Sequence, residues 1–163
     1  MGLKGVGAAL ALIVVTTISE ALAAENCNNP ASYWADSRSI ASQQLELSPY
    51  LKIFPKNEDA YWFYVRLDQI RDSLFIFGSL VSVEKIYAPK SGGGLTTGET
   101  DMLRQVRRDA LEFRILNVID LARKELAEQS LFLKEPFVRA RLGDIDDQLK
   151  RVFVKYSGCL SDF

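Results

Sequence analysis

The sequence predicts an all-α fold, namely an antiparallel up-down-up-down four-helix bundle closed by one disulfide. Four segments repeat apolar residues in steps of three and four, which is the spacing of one helix face. Prolines and glycines separate these segments. The two cysteines, Cys27 and Cys159, stand immediately outside the first and the fourth segment.

The first two predicted helices have regular apolar stripes. Asn29 and Pro30 form a helix start, with Asn as the cap and Pro in the first turn, and this helix ends near Leu47. The second helix is predicted from residue 57 or 58 to residue 88, before a proline. The stripe of the first helix is Tyr33, Ile40 and Leu47, and that of the second is Phe63, Leu67, Ile70, Leu74, Phe77 and Val81.

The third predicted helix begins after Thr96, because Thr96 and Glu99 have the spacing of a capping box, and runs to about Glu128. The fourth opens near Pro136 and ends at Gly158. The third carries Leu103, Val106, Ala110, Phe113 and Leu116, with Leu111, Ile115, Val118 and Leu126 widening its apolar side. The stripe of the fourth is Val138, Leu142, Ile145, Leu149, Val152 and Tyr156.

The positions of the cysteines test this topology independently. In a bundle with an even number of antiparallel helices, the first helix starts and the last helix ends at the same end. Cys27 and Cys159 therefore meet, and closing so long a loop contributes on the order of 4 kcal/mol in the chain-entropy model. Two free thiols are the alternative.

Residues 1–23 have the features of a cleaved secretory signal peptide. Lys4 supplies the positive charge, residues 6–18 form a short apolar core, and residues 21–23 read Ala-Leu-Ala, a cleavage site. The apolar core is shorter than the ~20 residues that span a bilayer, although an uncut membrane anchor is the alternative. We expect a protein of the periplasm or otherwise secreted, with residues 24–163 as a single helical-bundle domain and no integral membrane segment after cleavage.

Composition excludes several classes of function. The chain of 163 residues has 20 basic and 21 acidic side chains, so it lacks the basic excess of a nucleic-acid binder. It contains no histidine, which excludes Ser-His-Asp and Cys-His catalysis and histidine-ligated haem or di-iron centres. We therefore predict no cofactor, no metal site and no enzyme activity.

Two charged clusters remain as candidates. Arg104, Arg107 and Arg108 lie within one helical turn and are candidates for binding an anion or an acidic partner, the alternative being a mixed, solvated face. Asp144 and Asp147 belong to the densest acidic group, which fits a solvated helix face better than a carboxylate-dependent hydrolase.

The second helix is apolar on a second side as well. Relative to its main stripe, a further apolar set lies roughly 100–160° around the helix, interrupted by residues 68–73. Either the connection at residues 49–55 covers this side, or a protein partner or a second copy of the chain does. The candidate partner-binding residues are Tyr61, Trp62, Val65, Ile76, Leu80 and Tyr87.

These observations predict an exported, non-enzymatic binding protein that engages a protein partner through an apolar and aromatic helix face, as inhibitors, immunity proteins or accessory subunits do. The alternative is a carrier of a small apolar ligand, with a pocket between the helices lined by Phe63, Phe77 and Phe113.

Overall fold

The computed structural model describes residues 27–50, 59–87, 95–130 and 136–162. Within these ranges the chain is all-helical, as predicted, and contains no strand. We number four helices: α1 (Pro30–Leu47), α2 (Asp59–Tyr87), α3 (residues 97–130) and α4 (Pro136–Ser157). Short 3₁₀ turns follow at Ser48–Tyr50 and Gly158–Asp162.

The predicted start signals of α1 and α3 are both formed. The side chain of Asn29 accepts a hydrogen bond from the backbone N–H of Ala31 at 3.2 Å, and Pro30 is the first helical residue. At α3, the hydroxyl of Thr96 accepts from the N–H of Glu99, whose carboxylate accepts from the N–H of Thr96 at 2.8 Å. These bonds satisfy N–H groups that have no partner inside the helix.

The predicted stripes of α1, α2 and α4 form most of the core. All their members, six each on α2 and α4 and three on α1, are buried. Aromatic contacts join the three helices, because the ring of Tyr33 on α1 stacks on Tyr156 of α4 at 4.3 Å and meets Phe77 of α2 at 4.7 Å. Uninterrupted α-helical spacing of apolar residues therefore predicted the core faces of these helices correctly.

Helices α1 and α2 are also joined by hydrogen bonds that occur in opposite order along the two helices. These are Trp34 Nε1 to Phe75 O (3.3 Å), Ser37 Oγ to Arg71 O (2.9 Å) and Gln44 Nε2 to Asp68 Oδ1 (2.8 Å).

The core face predicted for α3 is correct in part and wrong at Val106 and Phe113. Helix α3 contains a π-helical segment, Ala110–Leu116, in which the N–H of Asn117 donates to the carbonyl of Glu112, five residues earlier. A π turn holds more residues than an α turn, so a stripe extrapolated at α spacing loses its register there. Val106 and Phe113, both predicted on the core face, are exposed. Leu111, Ile115, Leu116 and Leu126 are buried as predicted, and the residues buried on the same side that were not predicted are Arg107, Ile119 and Ala122.

The predicted disulfide is present. Cys27 and Cys159 are bonded across 132 residues of sequence, with Cα atoms 5.5 Å apart, and both are buried. Described residues contain no free cysteine.

Several sequence predictions concern other parts of the chain. The signal peptide at residues 1–23 lies outside the described residues, as does most of the connection at residues 49–55. Among the helices that the structure describes, none is long and apolar enough to cross a membrane.

Candidate partner-binding groove

A groove of about 370 Å³ lies between α2 and the first half of α3. Most side chains along it are apolar, so the groove is suited to apolar groups of a ligand or partner. The residues that line it are Ser73, Ile76, Phe77 and Leu80 from α2, and Val106, Asp109, Ala110, Phe113 and Arg114 from α3.

Helix α2 supplies one wall and part of the floor of the groove. Phe77 belongs to the buried stripe of α2. Ile76 precedes it and is therefore rotated by ~100° onto the flank of the helix, where its side chain is 55% exposed. Leu80, one turn further along the same flank, is half-buried.

Helix α3 forms the opposite wall. Val106 is 43% exposed and Phe113 is 58% exposed, although both are large apolar side chains. Phe113 lies within the π-helical segment, whose wider turn carries the core contacts on Leu111, Ile115 and Leu116 instead. Single π turns are rare and occur frequently at functional sites. This wall of the groove therefore has an unusual backbone conformation as well as exposed apolar side chains.

The structure brings together part of the predicted partner-binding stripe. Ile76 and Leu80 line the groove, and Tyr87 is exposed at the end of α2 on the same flank. Trp62 is exposed and Val65 half-buried nearer the start of α2, apart from the groove lining.

The interruption predicted between these two parts is present. Gln69 and Asp72 are exposed, and Asp68 and Ser73 are half-buried. Tyr61 belongs to α2, but its side chain lies outside the described part of the structure.

Several residues of the groove lining were not predicted as site residues, namely Ser73, Val106, Asp109, Ala110 and Arg114. Val106 was assigned to the core, and Phe113 was predicted only in the core and in the pocket of the carrier alternative. A signal was available, because the sequence of α3 holds more large apolar residues than one helix face can bury. The positions 107, 111 and 115 share one face at steps of four, which would have placed Val106 on a flank.

The three candidate arginines do not form one exposed cluster. Arg104 is exposed and pairs with Asp101 at 3.2 Å, and Arg108 is exposed. The Arg107 side chain is only 4% exposed, so it is not available at the surface together with its two neighbours. The reason is that position 107 lies on the core face of α3 with Leu111.

Arg107 links the disulfide to the helices on either side of the groove. Its guanidinium forms an ion pair with Glu84 of α2 and donates to the backbone carbonyl of Cys27 at 3.3 Å. It also donates to the side chain of Asn28 at 3.4 Å and lies 5.7 Å from the centre of the Phe77 ring. A buried cation with these partners is a structural link rather than an anion site.

A second cleft, of about 310 Å³, contains the predicted aspartates. Asp144 and Asp147 line it together with Gln43, Glu46, Arg141, Ile145 and Arg151. Arg141 bridges Glu46 at 2.9 Å and Asp144 at 3.7 Å, so one of the two aspartates is already paired with a cation. Among the described residues, no group of three or more acidic or cysteine side chains is arranged to hold a metal ion.

The three phenylalanines predicted to line one ligand pocket do not all line the same groove. Phe63 and Phe77 are buried in the core, whereas Phe113 is exposed. Phe77 and Phe113 both line the groove, but Phe63 is not part of its lining.

No protein-family model matches the chain, and neither a curated protein nor a solved structure shows significant similarity to it.

Proposed function

We propose that this chain is an exported, non-enzymatic binding protein whose α2–α3 groove receives an amphipathic helix of a protein partner. The observation that carries this proposal is the exposure of Ile76, Val106 and Phe113 on facing walls of one groove. Large apolar side chains grouped on a protein surface mark interaction sites, and a groove between two helices is a common receptor for a third helix.

The scaffold in this proposal is an antiparallel up-down-up-down four-helix bundle. Contacts that occur in opposite order along neighbouring helices support it, as described for α1 and α2. The ion pairs that add to this support are Arg66–Glu125 (2.6 Å) and Arg107–Glu84 between α2 and α3, and Arg141–Glu46 (2.9 Å) and Lys155–Asp36 (2.7 Å) between α1 and α4.

Export is supported by two independent features. Residues 1–23 have the pattern of a secretory signal peptide, and the chain carries a disulfide, a bond that persists in oxidising compartments. A periplasmic or secreted location is therefore part of the proposal, and an inhibitor, an immunity protein or an accessory subunit is the class that fits it.

The dimensions of the apolar flank favour a helical partner. Ile76, Leu80, Val83 and Tyr87 recur at steps of four, three and four along α2. From Ile76 to Tyr87 this flank is about 16 Å long at 1.5 Å per residue, the length of three turns of a partner helix. Such a helix would place apolar residues at steps of three and four against both walls.

Paired surface variants test the proposal. The oxidised mature protein is used to capture partners from its host envelope, in parallel with a Phe113→Lys variant and a Val154→Lys control. Val154 is also an exposed apolar residue, but it lies on α4. We expect one protein to be captured by the wild type and the control and to be lost with Phe113→Lys, while the helical circular dichroism of all three is the same. Equal capture by all three would contradict the groove as the binding site.

The carrier alternative gives a different result in native mass spectrometry. Phe77 and Phe113 make the groove lining partly aromatic, which is also suited to a small apolar ligand. A lipid or pigment that co-purifies with the wild type and is lost from Phe113→Lys would favour a carrier over a protein-binding function.

A further inference from the structure

The lining of the groove includes one cation, Arg114, that has no partner in the part of the chain that the structure describes. Arg114 lines the groove and is exposed, and among the described residues it forms no hydrogen bond or ion pair. Apart from Arg108, which lies outside the groove lining, the other arginines described on α2 and α3 are paired: Arg66 with Glu125, Arg71 with Asp68 and Asp72, Arg104 with Asp101, Arg107 with Glu84, and Arg123 with Asp146.

The surroundings of Arg114 at this end of the groove add a second donor. Helices α2 and α3 contact each other in opposite order, so the first α2 residue of the lining, Ser73, and the last α3 residue, Arg114, belong to the same end. Among the described residues, the Ser73 hydroxyl also has no hydrogen-bond partner. Asp109, the acidic residue of the lining, precedes Arg114 by five residues on α3, and its carboxylate accepts a hydrogen bond from the Gln105 side chain at 2.8 Å.

A partner that fills the apolar groove removes water from this end. A guanidinium that loses water without gaining a partner opposes binding, whereas one that meets a carboxylate forms a charge-assisted, frequently bidentate hydrogen bond. The groove therefore discriminates among apolar helices by the charge that each presents beside Arg114.

We infer that the partner helix carries an acidic side chain, Asp or Glu, at one end of its apolar stripe, and that this carboxylate pairs with Arg114 and Ser73. The inference rests on the proposed function and specifies the chemistry of the partner. Arg108 provides a matched control, because it is an exposed arginine of the same helix, is likewise unpaired among the described residues, and lies outside the groove lining.

The probe is a displayed library of 18-residue amphipathic helices in which the apolar stripe is fixed and all flanking positions are random. It is selected in parallel against the oxidised wild type and against Arg114→Glu, Arg108→Glu and Val106→Lys variants. The wild type and Arg108→Glu are expected to enrich Asp or Glu at one end of the stripe, and Arg114→Glu is expected to enrich Lys or Arg there. A selected acidic peptide should bind Arg114→Glu about tenfold or more weakly than the wild type, and Arg108→Glu within about twofold.

The outcomes separate this inference from the proposed function. Helices enriched equally by the wild type and Arg114→Glu, or enriched with no acidic position, would overturn the inference and leave the groove as a binding site. The same helices binding to Val106→Lys as to the wild type would overturn the groove itself. A milder Arg114→Gln variant should lose the acidic preference without gaining a basic one.

Discussion

Polar side chains are buried with partners at the disulfide end of the molecule, whereas large apolar side chains are exposed in the α2–α3 groove. At the disulfide end, a guanidinium is buried with Glu84 and the carbonyl of Cys27 as partners. In the groove, Ile76, Val106 and Phe113 are exposed, and Arg114 has no partner among the described residues.

A second buried polar cluster lies near Tyr33, whose hydroxyl donates to the Cys27 carbonyl at 3.1 Å. The Tyr156 hydroxyl donates to Asp36 at 2.7 Å, and Asp36 also pairs with Lys155. Burial raises the pKa of the Tyr156 phenol well above its ordinary value, so the phenol remains a proton donor at physiological pH.

The comparison teaches that the two regions have different tasks. Removing one partner of a buried, hydrogen-bonded polar group costs a great deal, so the bonds of Arg107 and Tyr33 to the Cys27 carbonyl help to fix the geometry of the disulfide end. Exposed apolar groups contribute little to the stability of the isolated chain, and their grouping in a groove is the feature on which the proposed partner binding rests.

The largest expected effect is on the disulfide end. Replacing both cysteines (Cys27→Ser with Cys159→Ser) should lower the free energy of unfolding by about 4 kcal/mol, because the bond constrains a loop of 132 residues in the unfolded chain. Urea denaturation followed by circular dichroism measures the change. A loss below about 1 kcal/mol would mean that this end does not depend on its covalent link.

The next largest effect distinguishes the buried side of the π-helical segment from its exposed side. Ile115→Ala should lower the free energy of unfolding by about 3 kcal/mol because Ile115 is fully buried, whereas Phe113→Ala should change it by less than about 0.5 kcal/mol. Both are measured by urea denaturation under the same conditions. A large loss for Phe113→Ala would assign Phe113 to the core and remove one wall of the groove.

A smaller effect is expected from the buried ion pair. Arg107→Met should lower the free energy of unfolding by about 2 kcal/mol, since it leaves the Glu84 carboxylate without its cation and removes one of the two donors to the Cys27 carbonyl, the other being the Tyr33 hydroxyl. The value is below that of a fully buried pair because the Glu84 side chain is 24% exposed. Arg104→Met is the control, and its exposed pair with Asp101 should contribute less than about 0.5 kcal/mol. Equal effects of the two variants would show that the burial of Arg107 does not increase the contribution of its ion pair to the free energy of unfolding.

The smallest effect concerns the start of α3, which carries one wall of the groove. The N–H and the hydroxyl of Thr96 donate to Glu99 and lower the pKa of its carboxyl below the ordinary value of 4.5. The ionised capping box therefore contributes fully above pH 4.5, and its contribution is lost as the pH falls through the lowered pKa.

Nuclear magnetic resonance titration of the Glu99 carboxyl measures this directly. The midpoint should lie below 4.5 in the wild type and return towards 4.5 in Thr96→Ala. In a Glu99→Gln variant the Thr96 amide signal should lose its dependence on pH between 3 and about 5, because the amide keeps the hydrogen bond and does not titrate. Thr96→Ala removes the hydroxyl and keeps the backbone N–H, so an unchanged midpoint would exclude the Thr96 hydroxyl as a cause.

Local rules were sufficient for much of the fold. The stripes of α2 and α4 follow α-helical periodicity without interruption, so all twelve predicted positions were confirmed as buried. The disulfide was predicted from topology alone, because flanking the first and last helix is a property of chain order. The capping residues Asn29 and Thr96 act on neighbours within three positions, a range over which sequence is informative.

The groove was harder to predict, because it depends on features that do not produce a regular spacing of apolar residues in the sequence. The π turn changes the number of residues per turn within α3, and this moved Phe113 from the predicted core to a wall of the groove. The burial of Arg107 depends on Glu84 and on Cys27, which are distant in sequence and become its partners only in the folded chain. Ile76 and Leu80 could be predicted as an outward flank, and the spacing of positions 107, 111 and 115 indicates a flank position for Val106. The position of Phe113 could not be predicted, because it depends on the π turn.

The π-helical segment also determines where α3 tolerates a change in length. A π turn holds about one residue more than an α turn, so a deletion of one residue within Ala110–Leu116 would convert the wide turn to an ordinary one and keep the two halves of the helix in register. The same deletion in the α-helical half that carries Ile119, Ala122 and Leu126 would rotate the residues on either side of it by about 100° relative to each other. A one-residue deletion is therefore expected to be tolerated far better within Ala110–Leu116 than in the rest of α3.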